Sequence, residues 1–207
     1  MNVDLYTDIT CPWCYIASQR WNRVLADLEP GEKTALRYRP FQLNPHLSRT
    51  PMPLLDYYRM RGGEGFVAEH LQAQEYARRE GLEIDMERAL AVNTFDAHRM
   101  LWIVERDHGL TVAARVHDAL TVAYFAEGAN IADHDTLAAI AGRHGADAER
   151  VRAALATGEG AEEVRAEIES ARALGIRAVP SSVIGSSLIE GAVPASTLTR
   201  FLHSTRD

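Results

Sequence analysis

Both cysteines of this 207-residue chain fall in one tetrapeptide, Cys11-Pro12-Trp13-Cys14. Two cysteines scattered at random would stand three apart in about one arrangement in a hundred, so the spacing carries information. Three kinds of chemistry use such a pair. A structural disulfide closing so short a loop contributes at most ~2 kcal/mol through loop entropy. A chain of this length buries roughly 70% of its unfolded surface and does not require that staple, and a reducing compartment would not maintain it. A structural zinc site needs four ligands, yet the sequence holds no second Cys-x-x-Cys and no closely spaced histidine pair. The third is a redox-active dithiol, in which one thiolate attacks a sulfur and its neighbour resolves the mixed disulfide.

The flanking residues decide what positions the pair. Upstream, Asn2-Val3-Asp4-Leu5-Tyr6-Thr7 alternates polar and apolar in the manner of a half-buried strand. Downstream, Cys14, Ala17, Trp21, Val24, Leu25 and Leu28 recur at helical spacing, with Pro30-Gly31 as the stop. Pro12 suits the first helical turn, where a missing N–H costs nothing. The dithiol therefore sits where a strand hands over to a helix N-terminus, whose unpaired amides and macrodipole stabilise a thiolate. On that geometry Cys11 is the more exposed, attacking thiol, and Cys14, which begins the apolar stripe, resolves. Asp8 has three readings: a carboxylate that disfavours a nearby thiolate, a proton acceptor during exchange, or a plain turn residue.

A second strand is predicted over residues 35–43, ending at Asn44-Pro45. From Pro51 to about Leu174 the pattern is helical, broken at Gly62-Gly63, Gly81, Gly109, Gly128, Gly145 and Gly158. Thr111, Asp133 and Asp147 are candidate helix caps. Val164, Ile168, Ala171 and Leu174 mark the last helix of this block, closed by Gly175. Strand character returns at 176–180 and 182–189 with a hairpin turn at Gly185-Ser186, and Pro194 opens a final helix. The order is β-α-β, a long helical block, then β-β-α. It predicts an α/β unit from residues 1–50 and 175–207, interrupted by an inserted all-α subdomain over 51–174. Pro180 stands in strand-like sequence, which a central strand rejects. An edge position or a cis Val179-Pro180 bond resolves the conflict, and the cis form frees neighbouring backbone groups to pair with an extended substrate.

Other chemistry-bearing residues read more simply as structure. His98, flanked by Leu101 and Trp102, fits a hydrogen-bonded core position, with a role lining the cleft as the alternative. Asn93 fits a helix cap better than a ligand contact. Glu105-Arg106-Asp107-His108 lacks the second Glu-x-x-His that a di-iron bundle needs, and Asp133-His134-Asp135 reads as a helix start. Gly62-Gly63-Glu64-Gly65 is followed by no Gly-Lys-Ser/Thr and is no phosphate loop. Tyr57, Tyr58 and Phe66 read as packing within the helical block, and the later Arg and Glu residues as solvated faces with i,i+4 pairing. Twenty-two basic against 29 acidic residues leave a net charge of −7, which offers no footprint for nucleic acid and disfavours anionic membranes. No apolar run reaches the ~20 residues of a transmembrane helix. Residues 1–6 lack the basic and apolar regions of a signal peptide, so a chain starting natively at Met1 is expected in the cytoplasm.

The residues so far collected resemble the DsbA family of the thioredoxin superfamily, in its FrnE-like branch. The series that carries the resemblance runs in order through Asp8-Ile9-Thr10-Cys11-Pro12-Trp13-Cys14-Tyr15, Pro40-Phe41-Gln42-Leu43-Asn44-Pro45 and Asn93-Thr94-Phe95-Asp96-Ala97-His98-Arg99. It continues through Ala123-Tyr124-Phe125-Ala126-Glu127-Gly128, Gly175-Ile176 and Val179-Pro180. The resemblance implies a thioredoxin-like fold, Cys11 as nucleophile with Cys14 its partner, a cis-proline at 180 facing them, and a helical cap over the site. Trp13, Val179 and Pro180 would form the substrate platform, with Asn44, Asn93 and His98 as candidates for the cleft. Two departures stand out: Ser181-Ser182 where relatives often place an aromatic residue, and Gly191-Ala192-Val193 where they often carry Gln. Relatives on the same fold, 2-hydroxychromene-2-carboxylate isomerases and kappa-class glutathione transferases, place serine at the attacking position, against which Cys11 argues. The expected partner is a thiol or disulfide, protein or small molecule. No metal, flavin or nicotinamide is required, glutathione is admitted as a co-substrate, and a homodimer is allowed but not implied.

Overall fold

The structure is a computed structural model that describes residues 2–29 and 34–205. Strand β1 (Asn2–Thr7) leads through Asp8–Cys11 into helix α1 (Pro12–Ala26), and strand β2 (Ala35–Pro40) returns parallel to β1. The expected helix stop at Pro30-Gly31 lies outside the described residues; α1 itself ends at the Asp27 cap. After the helical block, strands β5 (Ser181–Ile184) and β6 (Ser187–Glu190) form a hairpin through Gly185-Ser186, and helix α8 (Ala195–Ser204) ends the fold. The sheet order is β2-β1-β5-β6, with β5 antiparallel to β1.

Alternation along β1 sends Val3 and Leu5 to one face, where they are fully buried with Trp21, Val24, Leu36, Ile184, Leu198 and Leu202 beneath α1 and α8. Tyr6 points to the other face and packs with Ala171 and Ile176. The Trp21 indole N–H donates to Ser182 Oγ at 2.8 Å, tying α1 to β5. This small serine explains the departure at 182: an aromatic ring there would displace the indole's acceptor.

Between β2 and β5 run six helices: α2 (Leu54–Arg79), α3 (Phe95–His108), α4 (Leu110–Phe125), α5 (His134–Arg143), α6 (Ala148–Thr157) and α7 (Ala161–Ala173). The block also carries a two-residue strand pair not foreseen from sequence, β3 (Met52–Pro53) with β4 (Leu90–Ala91). Its core, built on Met86, Met100, Ile103, Leu120, Phe125 and Leu137, extends to Ile9, Tyr15 and Ile16, so the cap is welded to the N-terminal half of α1. Helix α2 is kinked at Gly63, whose φ of 69° belongs to the region glycine alone enters freely.

Several sequence expectations shift by local chemistry. The 35–43 strand stops at Pro40, on the outer strand of the sheet, where a missing N–H is tolerated. Residues 176–180 are not strand; the ladder begins at Ser181, after the proline that has no N–H to offer. Asp133 and Asp147 cap α5 and α6 through the amides of Thr136 and Arg150, but Thr111 caps nothing, since Gly109 breaks the chain and α4 starts at Leu110. Leu174 lies past the end of α7 and is exposed. The surface ion pairs on the cap helices are i,i+3, not i,i+4.

One buried cation organises the far side of the cap. Arg99 donates to Asp96 Oδ1 at 2.6 Å and to the carbonyls of Ala154, Leu155 and Glu159 at 2.8–3.4 Å, in the last turn of α6 and the turn that follows it. Burial works against the Asp96 carboxylate, but His134, Arg99 and Arg49 outweigh it and hold its pKa below the usual range. Arg99→Ala is expected to lower the unfolding free energy by about 3–5 kcal/mol, measured by denaturant titration, and Arg99→Lys to recover only part, because an ammonium cannot fork among these acceptors. The depressed Asp96 group stabilises the fold above its unfolded pKa of ~3.9 and ceases to do so as pH falls through the folded value. The stability gap between the parent and Asp96→Asn should therefore be full at neutral pH and narrow below pH ~4, as acid titrations of both proteins would show.

Candidate active site

The antiparallel register of β1 and β5 pairs Tyr6 with Ser181, so the residues following β1 and those preceding β5 leave the sheet at the same end. Asp8 accepts the Cys11 amide through its backbone carbonyl at 3.1 Å, closing the turn into α1. Cys11 is the N-cap of α1 in an extended conformation, and Pro12 occupies the first turn as expected. The Cys14 and Tyr15 amides both donate to the Cys11 carbonyl, leaving the Trp13 N–H as the amide of this turn with no acceptor among the described residues. The helix mouth thus carries fewer open amides than an uncapped N-terminus supplies.

Cys11 Sγ lies 3.9 Å from the Val179 carbonyl oxygen, and the Val179–Pro180 peptide bond is cis. Pro180 precedes β5, an interior strand, so an edge position does not account for it. Both cysteines are unbonded thiols with little exposure, 5% for Cys11 and 2% for Cys14. The difference that matters is access: Cys11 lines a cavity of about 380 Å³, and Cys14 does not. Burial pushes the Cys14 thiol well above its usual range, and the hydrogen bond and charge of Cys11 add to this; the Asp8 backbone acts against it, and the Asp8 charge, the smallest of these influences, raises it further.

Asp8 is more than a turn residue. Its carboxylate is 1% exposed; Oδ2 accepts the Leu43 amide at 2.8 Å, whereas Oδ1 is buried with no hydrogen-bond partner. His98 Nε2 stands 3.7 Å from that oxygen and 3.0 Å from the Phe41 carbonyl. His98 is therefore a buried, hydrogen-bonded core residue behind the dithiol. It borders a separate void of about 20 Å³ and not the cysteine cavity. Asn93 does not reach the cavity either. Its Oδ1 accepts the Phe95 amide at the start of α3, and its amide group donates to the Pro45 and Leu47 carbonyls, pinning the 42–48 loop. Of the three cleft candidates only Asn44 lines the cavity, where Oδ1 accepts from Tyr57 Oη at 3.0 Å and Arg61 Nη1 at 2.8 Å.

The cavity has one wall from the helix mouth, with Cys11, Pro12, Trp13 and Val179, and a second from α2, with Tyr57, Tyr58, Arg61, Phe66 and His70; Tyr124 of α4 also lines it. Tyr57, Tyr58 and Phe66, expected only to pack the cap, pack it and face the cysteine cavity as well. Burial pushes the Tyr58 phenol upward, and the neighbouring Cys11 adds to that, so it stays protonated. Arg61, Glu69 and His70 escaped sequence reasoning; the signal was the repeat 54, 57, 58, 61 and 66, 69, 70, 73, one helix face carried across Gly63. Trp13 is 40% exposed at the rim and packs at a tilt of 53° against Tyr76, ring centroids 5.3 Å apart; the Tyr76 hydroxyl accepts from Arg20. Arg20, itself buried, also holds Glu80 and the Ala192 carbonyl, joining α1, α2 and the 191–193 turn behind the motif.

The remaining candidates are engaged elsewhere: Glu105 pairs with Arg37 at 2.6 Å, His108 accepts from the Asp147 amide, and His134 pairs with Asp96. Among the described residues no group of three or more His, Cys, Asp or Glu is placed to hold a metal ion, and no helix is long and apolar enough to cross a membrane.

Comparison with known proteins agrees with this geometry. A probable DsbA oxidoreductase from Streptomyces coelicolor is 30% identical, with a TM-score of 0.88 over 100% of this chain and 90% of that one. The uncharacterized protein YwbO of Bacillus subtilis is 26% identical over 200 residues, 93% of this chain and 90% of the relative. The cytosolic disulfide reductase DsbM of Pseudomonas aeruginosa, in a structure with GSH, shares the fold at 16% identity and a TM-score of 0.69, over 100% of this chain and 99% of that one. The model of the DSBA-like thioredoxin domain matches residues 2–203. From the strand that leads into Asp8 to the C-terminal helix, this chain belongs to the DSBA-like thioredoxin domain family.

Proposed function

We propose that the protein is a cytoplasmic thiol–disulfide oxidoreductase in which Cys11 attacks and Cys14 resolves. The observation that carries this reading is the placement of Cys11 Sγ in the cavity wall, at a helix N-terminus and 3.9 Å from the Val179 carbonyl, with Cys14 buried behind it. A substrate sulfur reaching Cys11 meets a nucleophile backed by the α1 macrodipole, and the Val179–Pro180 segment with Trp13 offers it a platform. The FrnE-like assignment rests on the residue series through 93–99 and 123–128. The cytoplasmic reading is supported by a chain whose only cysteines are the dithiol itself.

Cys14 must lose its proton to attack the mixed disulfide, and burial opposes that loss. The unpaired Oδ1 of Asp8, whose charge is felt at Cys14, is the acceptor we assign to that proton. Glutathione is the co-substrate we assign to forming or clearing the mixed disulfide; a cavity of about 380 Å³ at Cys11 supports that reading.

Cys11→Ser should abolish exchange with a disulfide substrate, and Cys14→Ser should accumulate a mixed disulfide through Cys11, read by mass spectrometry. Full turnover of Cys11→Ser with glutathione would instead establish a transferase or isomerase that activates the glutathione thiol. A dithiol that exchanges with nothing yet holds stoichiometric metal would establish a binding protein. For the second step, Asp8→Asn should slow resolution at pH 7 by about 10²-fold, the usual reach of a positioned base. Its rate should then keep climbing with pH through and above ~8.5, the range of a free thiol, because the buried Cys14 ionises higher, while the parent stays nearly flat. Superimposable stopped-flow pH profiles for parent and variant would remove Asp8 from the step.

A further inference from the structure

Arg61 differs from the cap arginines around it. Arg59, two residues earlier, is neutralised by Asp56 and Glu64, whereas Arg61 forms no ion pair among the described residues and lines the cysteine cavity. Its two hydrogen bonds, to Asn44 Oδ1 and to Tyr57 Oη at 2.8 Å each, both use Nη1. A guanidinium has five N–H donors, so the Nε and Nη2 donors remain without a protein acceptor among the described residues. That edge is the one that matches two carboxylate oxygens. Asn44 and Tyr57 hold the group in place while leaving this edge open. Neither partner is anionic, so the charge itself stays uncompensated in a chain of net charge −7.

The space between Arg61 and Cys11 is walled by Tyr57, Tyr58, Phe66 and Tyr124, and its volume of about 380 Å³ lies in the range of small-molecule sites, roughly 300–1,000 Å³. Glu69, beyond the Gly63 kink, also lines it; it repels an anion from that stretch and leaves Arg61 as the position for one. We propose that this chamber takes a small disulfide with an apolar or aromatic body and a carboxylate, and that Arg61 binds the carboxylate. The proposal rests on the exchange chemistry above. The Cys11 thiolate attacks one sulfur of R–S–S–R′, forming Cys11–S–S–R and expelling R′S⁻. Cys14, its proton passing to Asp8, then attacks Cys11 and expels RS⁻. The substrate disulfide gains two electrons and becomes two thiolates, and the enzyme dithiol is oxidised to the Cys11–Cys14 disulfide.

The test is single-turnover oxidation of the reduced protein by two aromatic disulfides, followed through the released thiol. One, 5,5′-dithiobis(2-nitrobenzoate), carries carboxylates; the other, 4,4′-dithiodipyridine, is uncharged. Arg61→Gln should reduce the second-order rate constant for the carboxylated reagent about tenfold, the scale of one charge-assisted fork, and change that for the uncharged reagent less than twofold. Arg59→Gln should leave both rates within twofold of the parent. Equal losses with both reagents in Arg61→Gln, no loss with either, or the same selective loss in Arg59→Gln would overturn the assignment, the last by showing a general field instead of a contact. If the parent reacts with neither reagent, the exchange reading itself falls. Brisk reaction of the parent with both, unaltered by Arg61→Gln, removes only the carboxylate site.

Discussion

The pairing of Tyr6 with Ser181 across β1 and β5 is the constraint on which the site depends. Because the strands are antiparallel, the end of one and the start of the other coincide in space, and 168 positions of sequence separation between Cys11 and Val179 collapse to a van der Waals contact. The register is held by two different faces at once. Val3 and Leu5 are committed to the α1–α8 side and Tyr6 to the α7 side, so a slip by one residue would exchange buried and partly buried side chains along the whole strand. Trp21, bonded to Ser182, ties the helix to the same register.

Around this frame the molecule concentrates buried polar groups where elements must be joined. Arg20 joins α1 to the end of α2 and to the turn at Ala192; Arg99 joins α3 to the C-terminus of α6; Asn93 fixes the loop that carries Leu43 and Asn44. Each is satisfied by several partners, as a buried polar group in a low-dielectric interior must be. Asp8 is the exception. One of its oxygens accepts the Leu43 amide and the other is buried without a partner, and the charge of this carboxylate is felt at the Cys14 thiol. Arg37 Nε and His117 Nδ1 are also buried without a hydrogen bond, but Asp8 carries the unsatisfied acceptor next to the dithiol turn, a cost that a reaction can draw upon.

Much of this was legible in the residues. The 2.0 and 3.6 periodicities located β1, α1, the hairpin and the cap helices, because those elements bury one face and so must display the period. The Cys-x-x-Cys, the odd proline at 180 and the caps at Asp133 and Asp147 were legible for the same local reason: each answers a backbone requirement within a few residues. What escaped was set by tertiary proximity. Arg61 has an acid, Glu64, three residues away just as Arg59 has Asp56, so spacing does not separate them; what sets Arg61 apart is its contact with Asn44, seventeen residues distant. The apolar neighbours of His98 pointed to the core position it takes, but they could not name its partners, since Asp8 is ninety residues away. The ends of β2 and of the 176–180 segment were overcalled because alternation alone cannot see which backbone donors a proline has removed.

Gly63 has a consequence of its own. By turning the backbone within α2 it makes two short rods from one helix, the first bearing Tyr57 and Arg61 and the second Phe66 and His70. The second rod runs on to Tyr76 and Glu80, which are fastened to Arg20, so it is anchored at its far end independently of the first. A change confined to residues 54–61 can therefore reshape the Arg61 side of the chamber while Phe66 and His70 stay in place, held from the far end of the second rod.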